Sequence, residues 1–177
     1  MPRTAPAVAF KNPGDVISSA LWNSGPKAMG DFYTAVPAFR IGQATFVTTT
    51  SANWSAMPFD VTDLDTDSGH SNVTNNTRYT GQVVGWYLIQ GFVAWAAAGA
   101  QCNIWCALAV NGTLLNGSQQ VLQKQGTGLA AVSSQALVQL HVGDYVETWG
   151  RQDSGGNVNT FDGVDLRPCM QGLWIHS

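Results

Sequence analysis

Asp63, Asp65 and Asp67 stand at alternate positions in DLDTDSGH, and alternate carboxylates in a turn can converge on a hard cation. A calcium loop built that way needs glycine at its sixth position and glutamate at its twelfth. Here those positions hold Ser68 and Thr74. The match fails, so the loop reads as a structural turn, and neither a metal nor a cofactor is expected. The three histidines, His70, His141 and His176, stand apart from any nucleophile-elbow or HExxH pattern, and Glu147 is the chain's one glutamate. Two aspartates distant in sequence could still serve a glycan-cleaving enzyme, but no motif supports one, and the chain reads as a non-enzyme. Cys102, Cys106 and Cys169 are odd in number and lack CxxC spacing, which reads as buried, reduced thiols.

Composition excludes further classes. A net charge of -3 with eight scattered cations gives nucleic acid no basic face to bind. No window of about 18 apolar residues is present, so no membrane insertion is expected. The opening MPRTAPAVAFKNPGD lacks the apolar core of a secretion signal, which suggests synthesis in a cytoplasm. Without such a signal, the five Asn-x-Ser/Thr sequons carry no meaning as glycan acceptors. Charged residues make up only 11%, so amides and hydroxyls must solvate the surface; an assembly that hides much of it is one way to tolerate this.

The elements that must carry these residues are strands. From Gly85 to Trp95 both alternating faces are apolar, with Trp86, Tyr87, Leu88, Ile89, Phe92, Val93 and Trp95. One face needs a second sheet of the same domain and the other needs a further sheet or another copy of the chain. Further strands are expected from Ile41 through GQATFVTTT, at Cys102–Val110, in SQQVLQKQ, at Ala130–Leu140, at Tyr145–Arg151 and at Met170–His176. Asn111-Gly112 predicts a hairpin turn and Asn116-Gly117 another. Eight or nine short strands without a central helix point to an all-β antiparallel sandwich or jelly roll.

Residues 1–40 differ from the rest. They hold five of the seven prolines and two short helix signals, Asp15 before VISSALWN and Ser24 with Pro26 before KAMGDFYTA. They also carry Trp22, Phe32, Tyr33 and Phe39, more apolar surface than a free tail would hold. The segment 1–40 therefore reads as an arm ahead of a domain at 41–177, with these aromatics as anchors. They dock either on a partner or on the arm's own domain.

The order Phe59, Asp67, His70, Asn75, Arg78, Gly85, Tyr87, Asn111-Gly112, Leu140, Gly143-Asp144-Tyr145-Val146, Ser154-Gly155-Gly156 and Trp174 resembles the complement C1q/tumour-necrosis-factor-like jelly roll over about residues 42–177. It is most similar to versions carried by bacteriophage virion proteins and bacterial surface proteins. The resemblance implies a ten-stranded protomer in a tight homotrimer, with Asp67 and His70 as turn and hydrogen-bond residues. Tyr87, Tyr145, Trp149 and Trp174 are then the candidate trimer contacts. The collagen-like Gly-X-Y stalk of the animal proteins is missing, which removes the complement function and leaves the shape. The expectation is a structural protein of a tailed-phage virion, made in the host cytoplasm. It would be a minor tail or capsid decoration knob, attached to other virion proteins through residues 1–40 and open to contact with a host-surface glycan. A bacterial surface adhesin of the same fold is the alternative.

Overall fold

The computed structural model describes residues 4–6, 14, 16–97, 101–125 and 128–177. Its strands in chain order are β1 (Ala38–Gly42), β2 (Thr48–Thr49), β3 (Ser55–Ala56), β4 (Val61–Asp65), β5 (Arg78–Thr80), β6 (Gly85–Trp95) and β7 (Cys102–Val110). They continue with β8 (Thr113–Leu114), β9 (Gln120–Lys124), β10 (Ala130–Leu140), β11 (Tyr145–Gln152), β12 (Val158–Asn159) and β13 (Cys169–His176). One sheet runs β10-β6-β13-β1-β4. The other runs β3-β11-β7-β8, with β5 also on β11 and β9 also on β7, and β12 pairs with β2 in a small third sheet. These pairings are antiparallel, so the all-β sandwich is as expected.

Alternation builds the core between the two larger sheets. On β6, Tyr87, Ile89, Val93 and Trp95 are fully buried and face Ile104, Cys106 and Leu108 of β7 and Val146 of β11. Gly91 stands in the same inward row for a steric reason. A Cβ there would sit 2.5 Å from Thr148 Oγ1 and 2.7 Å from its Cγ2. β10 follows β6 for its whole length, Ala130 opposite Trp95 through Leu140 opposite Gly85. The Asn111-Gly112 turn is formed as expected, with φ of 50° and 75° and Val110 paired to Thr113, the geometry that favours Asn-Gly between two strands.

Three expectations change. The strand expected from Ile41 begins at Ala38 and stops at Gly42, because side chains outbid a ladder for the next backbone groups. Asp60 accepts from Ala44 N at 2.5 Å and Thr45 N at 3.1 Å, while the buried Gln43 bonds Pro58 O and accepts from Thr160 Oγ1. Part of the acidic loop is itself a strand, β4, laid against β1. The two helix signals merge: α1 (Ser19–Trp22) passes through a π-helical turn at Asn23–Lys27 into α2 (Ala28–Thr34). The turn contains Pro26, whose missing N–H removes a helical bond at that point. Ser18 caps the start, accepting from Leu21 N at 3.2 Å, whereas Ser24 donates to Leu21 O within the helix instead of capping it. The Asp15 signal lies outside the described residues.

The boundary expected at residue 40 consequently falls inside the domain. β1 is the fourth strand of the first sheet, and its Phe39 is buried and stacked on Tyr79 with centroids 3.8 Å apart. Phe32 is buried edge-on against Trp174, centroids 5.0 Å apart at 81°. Phe32 and Phe39 are therefore buried in their own domain, and the Tyr33 ring also lies beside it, 6.4 Å from that of Trp174. Trp22 and Tyr33 remain 53% and 59% exposed.

Candidate functional site

The residues with chemical potential do not converge. Asp63 receives both of its oxygens' bonds from Arg167 Nη2 at 2.9 Å, with Arg40 Nε 3.5 Å away. Asp65 turns back into its own loop and accepts from the backbone N–H groups of Asp67, Gly69 and His70. Asp67 accepts from Thr66 Oγ1. Each carboxylate thus has a structural partner, and among the described residues no group of three or more His, Cys, Asp or Glu is placed to hold a metal. His70 pins the loop to the sheets, its two ring nitrogens lying 2.9 Å from Arg78 O and 3.2 Å from Phe59 O. His141 lies 3.1 Å from Asp144, and His176 lies 2.9 Å from Ser177 O. The backbone N–H of His141, followed by the Asn111 amide, holds the Asp144 carboxyl below its ordinary range. Burial pushes the Cys106 thiol up to about 12 and raises Cys102 and Cys169 as well, which suits structural cysteines rather than nucleophiles.

What the fold does build is an apolar row on the outward face of the first sheet. Register sets Leu137, Leu88 and Leu173 side by side across β10, β6 and β13, followed by Ala38 of β1. The three leucines are 59%, 36% and 44% exposed, and Leu64 on β4 and Ile175 on β13 are also open. Two residues along, the next row reads Gln135, Gln90, Gln171 and Arg40, with Gln171 Nε2 donating to Gln90 Oε1 at 2.7 Å. The two rows border a shallow depression of about 310 Å³. A second, of about 400 Å³, continues along the face past Phe92 to Cys169 and Arg167.

The four candidate contact residues do not lie on this face. Tyr87 is fully buried, and its hydroxyl donates to Val83 O at 2.7 Å. Trp174 is buried beneath Phe32, with its indole N–H on Val84 O. Both have inward parity, so they belong to the domain's own core. Tyr145 and Trp149 are half-buried on β11, on the outward face of the opposite sheet. The exposed apolar row of this face is instead Leu88, Leu137 and Leu173, and the signal for these was present: in each strand they share parity with a glutamine, while the core parity does not.

No protein-family model matches the sequence, and no curated protein does either. Solved structures do match in shape. The globular domain of a zebrafish complement 1qA protein aligns with a TM-score of 0.54 at 15% identity, over 79% of this chain and 98% of that one. Murine APRIL at pH 5.0 aligns with a TM-score of 0.56 at 9% identity, over 77% and 98%. Eiger TNF from S. frugiperda aligns at 0.53 and 15%, over 80% and 95%. At such identities the likeness defines the fold: this is a C1q/TNF-like jelly roll.

Proposed function

We propose that this chain is a non-enzymatic, homotrimeric surface knob of a tailed-bacteriophage virion, as a minor tail or capsid decoration protein. The observation that carries the trimer is the row Leu137, Leu88 and Leu173, which leaves apolar side chains in water at the middle of a sheet whose other face is already covered. Contiguous apolar surface of that kind marks an interface. C1q/TNF-like domains commonly form homotrimers, and a second copy of the same face is the occupant favoured here. The non-enzymatic reading rests on Asp63, Asp65, Asp67, Asp144, Glu147 and the three histidines, which are each engaged locally. The virion setting rests on the resemblance together with the N-terminal helix. Phe32 seats that helix on the knob, while Trp22, Tyr33, Val16 and Ile17 point apolar surface elsewhere, so the attachment is by a pre-ordered helix instead of a free arm.

Sedimentation equilibrium tests the first half, with a species of three 18.8 kDa chains expected. Co-sedimentation with phage particles tests the second. Trp22→Ala with Tyr33→Ala should abolish incorporation while the three-chain mass persists. A single-chain mass at all concentrations refutes the trimer, and undiminished incorporation of the double variant refutes the attachment surface.

A further inference from the structure

The outward face of the second sheet carries a strip that the assembly reading leaves unused. Along β11, Val146, Thr148, Gly150 and Gln152 point inward, so Tyr145, Glu147, Trp149 and Arg151 point out. The Arg78 guanidinium lies 4.4 Å from the centroid of the Tyr145 ring, and that of Arg151 lies 4.7 Å from the centroid of Trp105 on β7. Between them Glu147 is only 8% exposed, and its two oxygens accept from Thr77 Oγ1 at 2.6 Å and Trp149 Nε1 at 3.0 Å.

That arrangement has a consequence for charge. Arg78 is the register partner of Glu147 across β5 and β11, yet the carboxylate is engaged in fixing the indole and the guanidinium turns onto tyrosine. Arg40 and Arg167 pair with Asp63, whereas Arg78 and Arg151 have no carboxylate within ion-pair distance among the described residues. Arg151 Nε is buried with no hydrogen-bond partner among them. A chain of net charge -3 thus keeps two unneutralised guanidinium groups on one face. At the Arg78 end the strip opens into a polar cavity of about 240 Å³, lined also by Ser71, Thr74, Asn75 and Gln82.

We propose that this strip and cavity bind a carboxylated oligosaccharide, which deepens the surface-knob reading by giving its outer face a ligand class. Arg78 receives the sugar carboxylate, since a guanidinium fork matches its two oxygens. The hydroxyls and amides of the cavity take the ring hydroxyls. Trp149, held in place by Glu147, offers a half-exposed ring to the C–H face of the next sugar. The Arg151–Trp105 pair supplies a second, cationic subsite for a carboxylate about 20 Å further along, six residues at roughly 3.3 Å each. An acidic peptide fits less well. It would look for main-chain partners at a free edge, but β11 is paired to β7 on one side and to β5 and β3 on the other.

The test titrates the full chain with hexagalacturonate and with 3′-sialyllactose, followed by tryptophan fluorescence and calorimetry. The fully methyl-esterified hexamer and lactose serve as the neutral counterparts. At least one acidic sugar should bind, its neutral counterpart should bind about tenfold or more weakly, and Arg78→Gln should lose a similar factor. Arg151→Gln, which leaves the cavity loop untouched, should weaken hexagalacturonate, long enough to reach both guanidinium groups, more than the singly charged sialyllactose. Binding should survive Leu88→Asp, so failure of the trimer reading and failure of this site are separable. The proposal is overturned if neither acidic sugar binds, if the neutral forms bind equally, or if oligoglutamate competes as well as the sugar.

Discussion

Replacing Leu88 by aspartate puts the assembly reading at greatest risk. Fully burying a leucine side chain contributes about 1.5–3 kcal/mol, and the exposed fractions of Leu88, Leu173 and Leu137, 36%, 44% and 59%, together amount to a little more than one such side chain. Covering the row would therefore contribute about 2–4 kcal/mol per protomer, or about 6–12 kcal/mol per trimer before the costs of association. Leu88→Asp removes part of this and sets three carboxylates close together in a drying interface, a further cost of several kcal/mol. The isolated domain has little to lose, because the position is on the open face of a strand, where such changes span about 1 kcal/mol. Sedimentation equilibrium should show a single-chain mass for Leu88→Asp at concentrations where the parent is three-chain, with an unchanged circular-dichroism spectrum. Val121→Asp, at an exposed position on β9 of the other sheet, should leave the mass alone. If Leu88→Asp keeps the parent's mass, the row is not the interface and the reasoning fails.

Three further outcomes follow from the same geometry. Phe32→Ala should uncover Trp174, red-shift the tryptophan emission and cost up to about 3 kcal/mol in a denaturant melt, since the ring is 5% exposed. Native protein should leave Cys106 unmodified by a thiol reagent at pH 8, with labelling appearing only on unfolding, because its thiol sits at about 12. Asp144→Asn should lower stability at neutral pH, and the difference from the parent should fade in acid. The folded pKa is depressed, so the stabilisation is present above the ordinary value of 3.8 and is lost as pH falls through the folded value; parallel melts between pH 7 and pH 2 measure it.

Much of the fold was legible because its long strands carry their own period. β6, β7 and β10 stand where alternation places them, and Asn111-Gly112 turns β7 into β8. β1 was not legible, since it is held by β13, whose Leu173 pairs with Ala38 across 135 positions. Local propensity instead favoured GQATFVTTT, where Gln43 and Asp60 satisfy the backbone from the side. Parity separates the candidate contacts: Tyr87 and Trp174 have inward parity and are buried, as large aromatics that fill a core are. Gln90 and Gln171 mark the outward parity, and their neighbours Leu88 and Leu173 follow from it. Phe32 could be read as apolar, but only the path of the chain shows that Trp174 is what it meets.

In the proposed trimer the paired rows of leucine and glutamine would also work as a ruler. A face that was apolar throughout would tolerate slippage, because each leucine would find another wherever the copies settled. Here a shift of two residues along the strands, about 6.6 Å, brings Leu88 opposite the amide of Gln90 and Leu173 opposite Gln171. The slipped arrangement would bury amides without partners, at about 1–3 kcal/mol for each group, repeated by every copy. In the proposed trimer the glutamine row would add little cohesion and would set height along the axis. Replacing those amides with leucines would therefore give tighter association with more than one stagger.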